Sequence, residues 1–118
     1  MSGQASQSAT EERTFREAVE AAQREEMRRD EDVVLIGEEV EGFGGIWGTS
    51  NGFAEEFGDR VRDTPISEAG FVGAGVGAAA TGSRPIVELM FADFMGVAGE
   101  PILNQMAKMR YMFGGQST

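Results

Sequence analysis

From Ala69 to Ala80 the chain is built of Gly, Ala and Val with a single Phe, bounded by Pro65 on one side and Gly82 on the other. A glycine inside a helix costs up to about 1 kcal/mol relative to alanine. A helix over 68–81 that carries Gly70, Gly73, Gly77 and Ala80 at near-helical spacing therefore implies that something bulky packs close to its backbone. The loop ahead of it, Asp63-Thr64-Pro65-Ile66-Ser67-Glu68, delivers one carboxylate to the helix start. The positive end of the helix dipole favours an acid there, so Glu68 reads either as a cap or as a working acid. Gly75-Val76-Gly77-Ala78-Ala79-Ala80 also fits the loose dinucleotide pattern G-x-G-x-x-A. The glycines do not follow a strand directly, however, and no acid ends a second strand about 20 residues on, as that fingerprint requires. Packing is the better account.

The flanking segments set the fold class. Val33-Val34-Leu35-Ile36 is an unbroken apolar run, typical of a strand buried on both faces of a parallel sheet. It ends in Gly37-Glu38-Glu39-Val40, where open α/β sheets place their ligands; a solvated loop is the alternative. Arg60-Val61-Arg62-Asp63 reads as a short strand or an extended link, and Pro85 to Phe91 as a clear strand. Strand, helix, strand implies a right-handed parallel crossover. The chain is thus read as α/β, a parallel sheet with flanking helices. Two or three strands make a thin sheet with open edges, which points to a piece of something larger.

Other segments are read in the same way. Residues 1–12 are small and polar and read as a disordered tail. Thr14 and Glu17 have capping-box spacing, and Phe15, Ala18, Val19 and Ala22 recur at helical spacing. A surface helix over 14–29 follows, with Glu20–Arg24 and Glu25–Arg29 pairs. Gly42 to Gly48 is glycine-rich with two aromatics, Phe43 and Trp47, but lacks the Lys and Ser/Thr of a phosphate loop. A short helix over 50–57 presents Phe53 and Phe57. The last segment, 94–112, has Ile102, Met106 and Met109 on one face, and Pro101 must kink it or start a new helix. Phe94 lies just past the end of the 85–91 strand.

Composition narrows the chemistry. The 118 residues hold no Cys and no His, so any acid–base work falls to carboxylates, Lys108, Tyr111 or another chain. The formal net charge of -10 argues against nucleic acid and anionic membranes as partners. No apolar run reaches the ~18 residues of a membrane span, and the N-terminal residues lack a signal-peptide core. A soluble, cytoplasmic protein is the expectation.

Five segments fall in the order and spacing of one family: Gly37-Glu38-Glu39-Val40, Asp63 to Glu68, Val76-Gly77-Ala78-Ala79, Arg84 to Glu88, and Asn104 to Gly115. Over residues 13–116 the chain resembles the beta subunit of thiamine-diphosphate-dependent 2-oxo-acid dehydrogenases, the decarboxylating component of the pyruvate, branched-chain and acetoin complexes. Residues 88–94 look closest to the pyruvate and acetoin branch. The resemblance implies a transketolase-like pyrimidine-binding domain, with residues 13–118 its N-terminal part. It implies thiamine diphosphate as cofactor, shared with an alpha subunit that holds the diphosphate and Mg2+, in a heterotetramer of two alpha and two beta subunits that serves a lipoyl acyltransferase core. The catalytic acid falls on Glu68, which shares a proton with a ring nitrogen of the cofactor. A carboxyl buried against an apolar ring has the raised proton affinity this needs. Phe94 falls on the aromatic stacking partner of the pyrimidine, Ile66 and Met90 on other positions lining the ring, and Glu38 on an acid approaching from the strand end. No metal ligand is implied in this chain. Family beta subunits are much longer, and a catalytic histidine of theirs lies beyond this segment. Val97 stands where some members carry a further acid, and Pro101 is unusual. The isolated segment is expected to be inactive. The alternatives are an acetoin dehydrogenase beta subunit and a non-catalytic truncated remnant.

Overall fold

The structure, a computed structural model, describes residues 11–117. Most of the expected tail over 1–12 lies outside the described residues. The first helix, α1 (Phe15–Arg29), starts as its sequence dictates: the Glu17 amide donates to Thr14 Oγ1 at 3.3 Å and the Thr14 amide donates to Glu17 Oε2 at 2.8 Å, a complete capping box. The chain continues through β1 (Val33–Gly37), a short α2 (Phe53–Phe57), a 3-10 turn over Gly58–Arg60, β2 (Val61–Asp63), α3 (Glu68–Ala80) and β3 (Arg84–Glu88). A 3-10 turn over Ala92–Met95, a π-helical turn over Pro101–Met106 and α4 (Ala107–Met112) complete it. Among the described residues no helix is long and apolar enough to cross a membrane.

The three strands form one parallel sheet in the order β2-β1-β3. The apolar run of β1 is central, as its lack of alternation requires. Val33 and Leu35 face one core with Met27, Val40, Phe53 and Val61. Ile36 faces the other, with Phe71, Val72, Val87 and Ala98. Helices α1 and α2 thus cover one face, and α3 with the C-terminal turn covers the other. Pro85 lies within β3, an edge strand among the described residues, which is where a missing ladder donor is tolerated.

Two expectations are corrected. The stripe Phe15–Ala18–Ala22 of α1 faces solvent, with Phe15 87% exposed, and Met27 is the residue α1 buries. The covering side of α1 is instead built by Arg24, which pairs with Glu20 and Glu56, donates to Asn51 O at 2.7 Å and lies 4.5 Å over the Phe53 ring. Long basic side chains cover apolar surface while keeping their charge wet. Arg29 pairs with Glu26 rather than Glu25. Second, β3 stops at Glu88 rather than Phe91, because its partner β1 ends at Gly37, opposite Glu88. The break expected at Pro101 is present. Pro101 opens a π-helical turn, and the Ala107 amide reaches five residues back to Ile102 O.

The glycines of α3 divide by face. Gly75 is the close approach: a Cβ there would lie 2.5 Å from Val87 Cγ2. Gly73 and Gly77, two members of the expected stripe, meet nothing within 4 Å. Beside Gly75 an apolar cleft of about 420 Å³ runs between Val72 and Val76 of α3, Pro85 and Val87 of β3, and Ile102 and Met106. Leu103, Tyr111, Met112 and Phe113 are exposed nearby in sequence. The sheet is unfinished on this side. The two glycines should respond oppositely to alanine. Gly77→Ala should raise stability by up to about 1 kcal/mol, since it removes a helix penalty in open space. Gly75→Ala should cost about 1–3 kcal/mol, because the β-branched Val87 cannot move its methyl freely. Urea unfolding midpoints of the two variants measure both.

Candidate functional site

The carboxyl ends of the three strands lie side by side. Gly37 pairs with Asp63 and with Glu88, and the Thr64 amide donates to Gly37 O at 2.9 Å. The packing at Gly37 is tight: a Cβ there would sit 3.0 Å from Val40 Cγ1 and 3.1 Å from Glu88 Cβ, so these neighbours would have to give way. The five expected site residues follow the ends of the three strands. Glu38 follows β1. Ile66 and Glu68 follow β2. Met90 and Phe94 follow β3.

The structure separates the two acids after β1, which the sequence treated alike. Glu38 is buried, only 5% exposed, whereas Glu39 is exposed and takes a left-handed backbone, φ 56°. That turn points consecutive side chains in opposite directions and lets Glu39 O accept from the Gly45 amide at 2.9 Å. Burial raises the proton affinity of Glu38, and the neighbouring carboxylate of Glu68 raises it further; the Ser67 backbone amide acts the other way, and Glu39 adds a smaller upward push. Glu38 Oε1 is buried and has no hydrogen-bond partner. A buried acceptor without a partner costs free energy, and it is the kind of atom that a ligand, water or bound proton satisfies.

Glu68 is the first residue of α3, after the N-cap Ser67. The side chains that close a helix start come from the N-cap or from the third helical position. Glu68 occupies neither, so it is poorly placed for hydrogen-bonded capping, although the helix dipole still favours its charge. It is half-buried. Its carboxylate is one of the groups that raise the proton affinity of the buried Glu38, as a like charge does. Glu38 is thus an acid at this edge that can hold a proton.

The apolar members are less enclosed. Phe94 is half-buried in the 3-10 turn and meets Phe91 edge-on at 5.4 Å. Met90 is half-buried and lines a shallow cleft with Glu39, Phe43, Gly45, Ile46 and Asn51. Ile66 is 85% exposed. Glu68 thus enters the surroundings of Glu38, while Ile66 follows the end of β2 and Met90 and Phe94 follow the end of β3. The unpartnered oxygen of Glu38 and the half-buried side chains of Met90 and Phe94 are compatible with a flat heteroaromatic ring that carries hydrogen-bonding nitrogens. Val97 is exposed. Glu100 accepts from Asn104 Nδ2 at 3.0 Å and Gln105 Nε2 at 2.8 Å. Among the described residues, no group of three or more His, Cys, Asp or Glu is placed to hold a metal ion. Sequence reasoning missed the contacts of Trp47 and Thr49 with the end of β3, since residues some forty positions apart leave no local pattern.

The raised proton affinity of Glu38 has a sign that can be measured. The folded chain holds this proton more tightly than the unfolded chain, so stability falls as pH rises from about 4.3, the ordinary glutamate value, through the raised folded value. Glu38→Gln removes this cost. The variant should match the parent near pH 4 and exceed it at pH 7 in urea midpoint. A variant less stable than the parent at pH 7 would show that the carboxylate is held by a partner.

Comparison with known proteins agrees with this fold. Residues 11–117 match the family described as transketolase, pyrimidine binding domain. The chain is 49% identical over 114 residues to the beta subunit of acetoin:2,6-dichlorophenolindophenol oxidoreductase from Bacillus subtilis, covering 86% of this chain and 33% of that protein. It is 53% identical over 104 residues to the beta subunit of the pyruvate dehydrogenase E1 component from Rhizobium meliloti, covering 87% of this chain and 23% of that protein. With the mitochondrial E1 beta subunit of Saccharomyces cerevisiae it shares 49% over 109 residues, 92% of this chain and 30% of the relative. The chain spans a third or less of the length of these relatives. By this match and by its parallel sheet with flanking helices, the chain belongs to the transketolase pyrimidine-binding domain family and forms part of that domain.

Proposed function

We propose that this chain forms the aminopyrimidine-binding part of the beta subunit of a thiamine-diphosphate-dependent 2-oxo-acid dehydrogenase of the pyruvate type. The observation that carries the reading is the Glu38–Glu68 pair at the carboxyl edge of the sheet, beside the apolar residues Ile66, Met90 and Phe94. When bound, thiamine diphosphate supplies the electron sink that allows the bond beside a 2-oxo group to break. This chain's residues prepare that chemistry. Glu68 holds a proton at its carboxyl and exchanges it with a ring nitrogen. Glu38, with its raised proton affinity, limits the negative charge beside Glu68. Phe94, Met90 and Ile66 bind the ring faces and exclude water, which strengthens the acid–nitrogen hydrogen bond.

The other half of the site belongs to a partner. An alpha subunit holding the diphosphate and Mg2+ completes it, two alpha and two beta subunits assemble, and the acyl product passes to the lipoyl group of an acyltransferase core. The Bacillus subtilis similarity favours a second reading, acetoin cleavage by the same site.

One experiment addresses both. A beta subunit carrying this segment is co-expressed with an alpha subunit and assayed with pyruvate and with acetoin, with 2,6-dichlorophenolindophenol as electron acceptor. Thiamine-diphosphate-dependent turnover of one of the two is expected, and Glu68→Gln should lower it at least ~100-fold, the usual scale of a lost acid–base group. Turnover unchanged in that variant would remove Glu68 from its role. Failure to bind an alpha subunit would favour the non-catalytic remnant.

A further inference from the structure

The stretch leaving β3 carries Met90 and Phe94, yet no strand holds it. Its ladder partner β1 ended at Gly37, opposite Glu88. Two hydrogen bonds from the glycine-rich loop hold it instead. Thr49 Oγ1 donates to Glu88 Oε2 at 2.8 Å, and Trp47 Nε1 donates to Met90 O at 2.9 Å. The two bonds bracket Leu89. The Trp47 ring meets Phe91 edge-on at 5.5 Å, and Phe91 meets Phe94 edge-on at 5.4 Å. A chain of three rings therefore joins the loop to the proposed stacking residue.

The loop is itself anchored. The Gly45 amide donates to Glu39 O and the Ser50 amide to Gly44 O, both at 2.9 Å, while the buried Ser50 donates through Oγ to Val40 O at 3.2 Å. Gly45 lies directly on the Glu88 carboxylate. With φ +75°, a Cβ there would be 2.6 Å from Glu88 Oε1. The backbone angle favours glycine here, and a side chain would also push the Glu88 carboxylate aside. Trp47, the one tryptophan of the chain, is 55% exposed. Burial does not account for it; its N–H and its ring edge do.

We propose that Gly42–Thr49 is a clamp on the end of β3, and that Trp47 and Thr49 are positioning residues that hold Met90 and Phe94 where the cofactor's aminopyrimidine ring is bound. This rests on the reading given under Proposed function. The clamp holds apolar side chains at the ring and does not touch the acid pair, so its main effect falls on cofactor affinity rather than on the chemical step.

The test uses a beta subunit carrying this segment, assembled with its alpha subunit and freed of cofactor. Trp47→Phe removes the N–H donor and keeps an aromatic ring. Thr49→Val removes the hydroxyl and keeps the shape, so it remains informative where Trp47→Phe disturbs folding. Each should raise the Kd for thiamine diphosphate roughly 3- to 10-fold, the worth of one hydrogen bond, with kcat at saturating cofactor within about 3-fold of the parent. An unchanged Kd in the assembled Thr49→Val enzyme, or a loss confined to kcat, overturns the clamp. Phe94→Leu and Glu68→Gln run alongside. If neither alters cofactor binding or turnover, the site assignment itself fails. If both respond while Thr49→Val binds as the parent does, only the clamp falls.

Discussion

Everything at the proposed site depends on one register. Gly37 pairs with Asp63 on one side and with Glu88 on the other. Because the strands are parallel, all three leave the sheet at the same edge, and the residues that follow each of them are brought together without contact in sequence. Had any strand run the other way, its acid or its aromatic would stand at the far end of the sheet. The approach at Gly37 is tight enough that Val40 and Glu88 would have to give way to a side chain. The ladder thus does more than stabilise the core. It aligns Glu38, Glu68 and Phe94 along one rim.

The charge arrangement at that rim runs against the rest of the molecule. A chain with twice as many acids as bases places most of them in water, where mutual repulsion is screened. Many of its arginines pair outside the site: Arg24 and Arg28 with Glu56, Arg29 with Glu26, Arg84 with Asp30. Glu38 is buried, has an unpartnered oxygen and faces another acid instead of a base. Stability alone does not favour such a placement, because burial and a like charge both disfavour the ionised form. Perturbed acids of this kind cluster where protons are moved.

Helix α3 works on two sides. Through Gly75 its backbone settles onto Val87 and seals the sheet, while Gly73 and Gly77 face open space. The open side, the apolar cleft beside it and the exposed Leu103, Tyr111 and Phe113 leave apolar surface in contact with water, the kind of surface that marks an interface. This agrees with a chain that spans a third or less of its relatives.

Much of this was written in local pattern. The capping box at Thr14, the unbroken run of β1, the helix from Glu68 and the break at Pro101 are each decided by neighbours within a few residues, and each was legible in the sequence. The positions of Glu38, Ile66, Glu68, Met90 and Phe94 came from motif order rather than from spacing, and the sheet places all five at one edge. Tertiary contacts decided the rest. Phe15 turned outward because Arg24, not an apolar stripe, covers Phe53. Gly75, not Gly77, became the close approach because only its face meets Val87. Glu38 went in and Glu39 out because the chain turns left-handed between β1 and the glycine loop. Trp47 found Met90 across 43 residues. Sequence alone determined which segments are strands and helices, because periodicity and helix capping are local. Only the folded sheet decided which acid is buried and what holds the aromatic wall, because burial is set by residues distant along the chain.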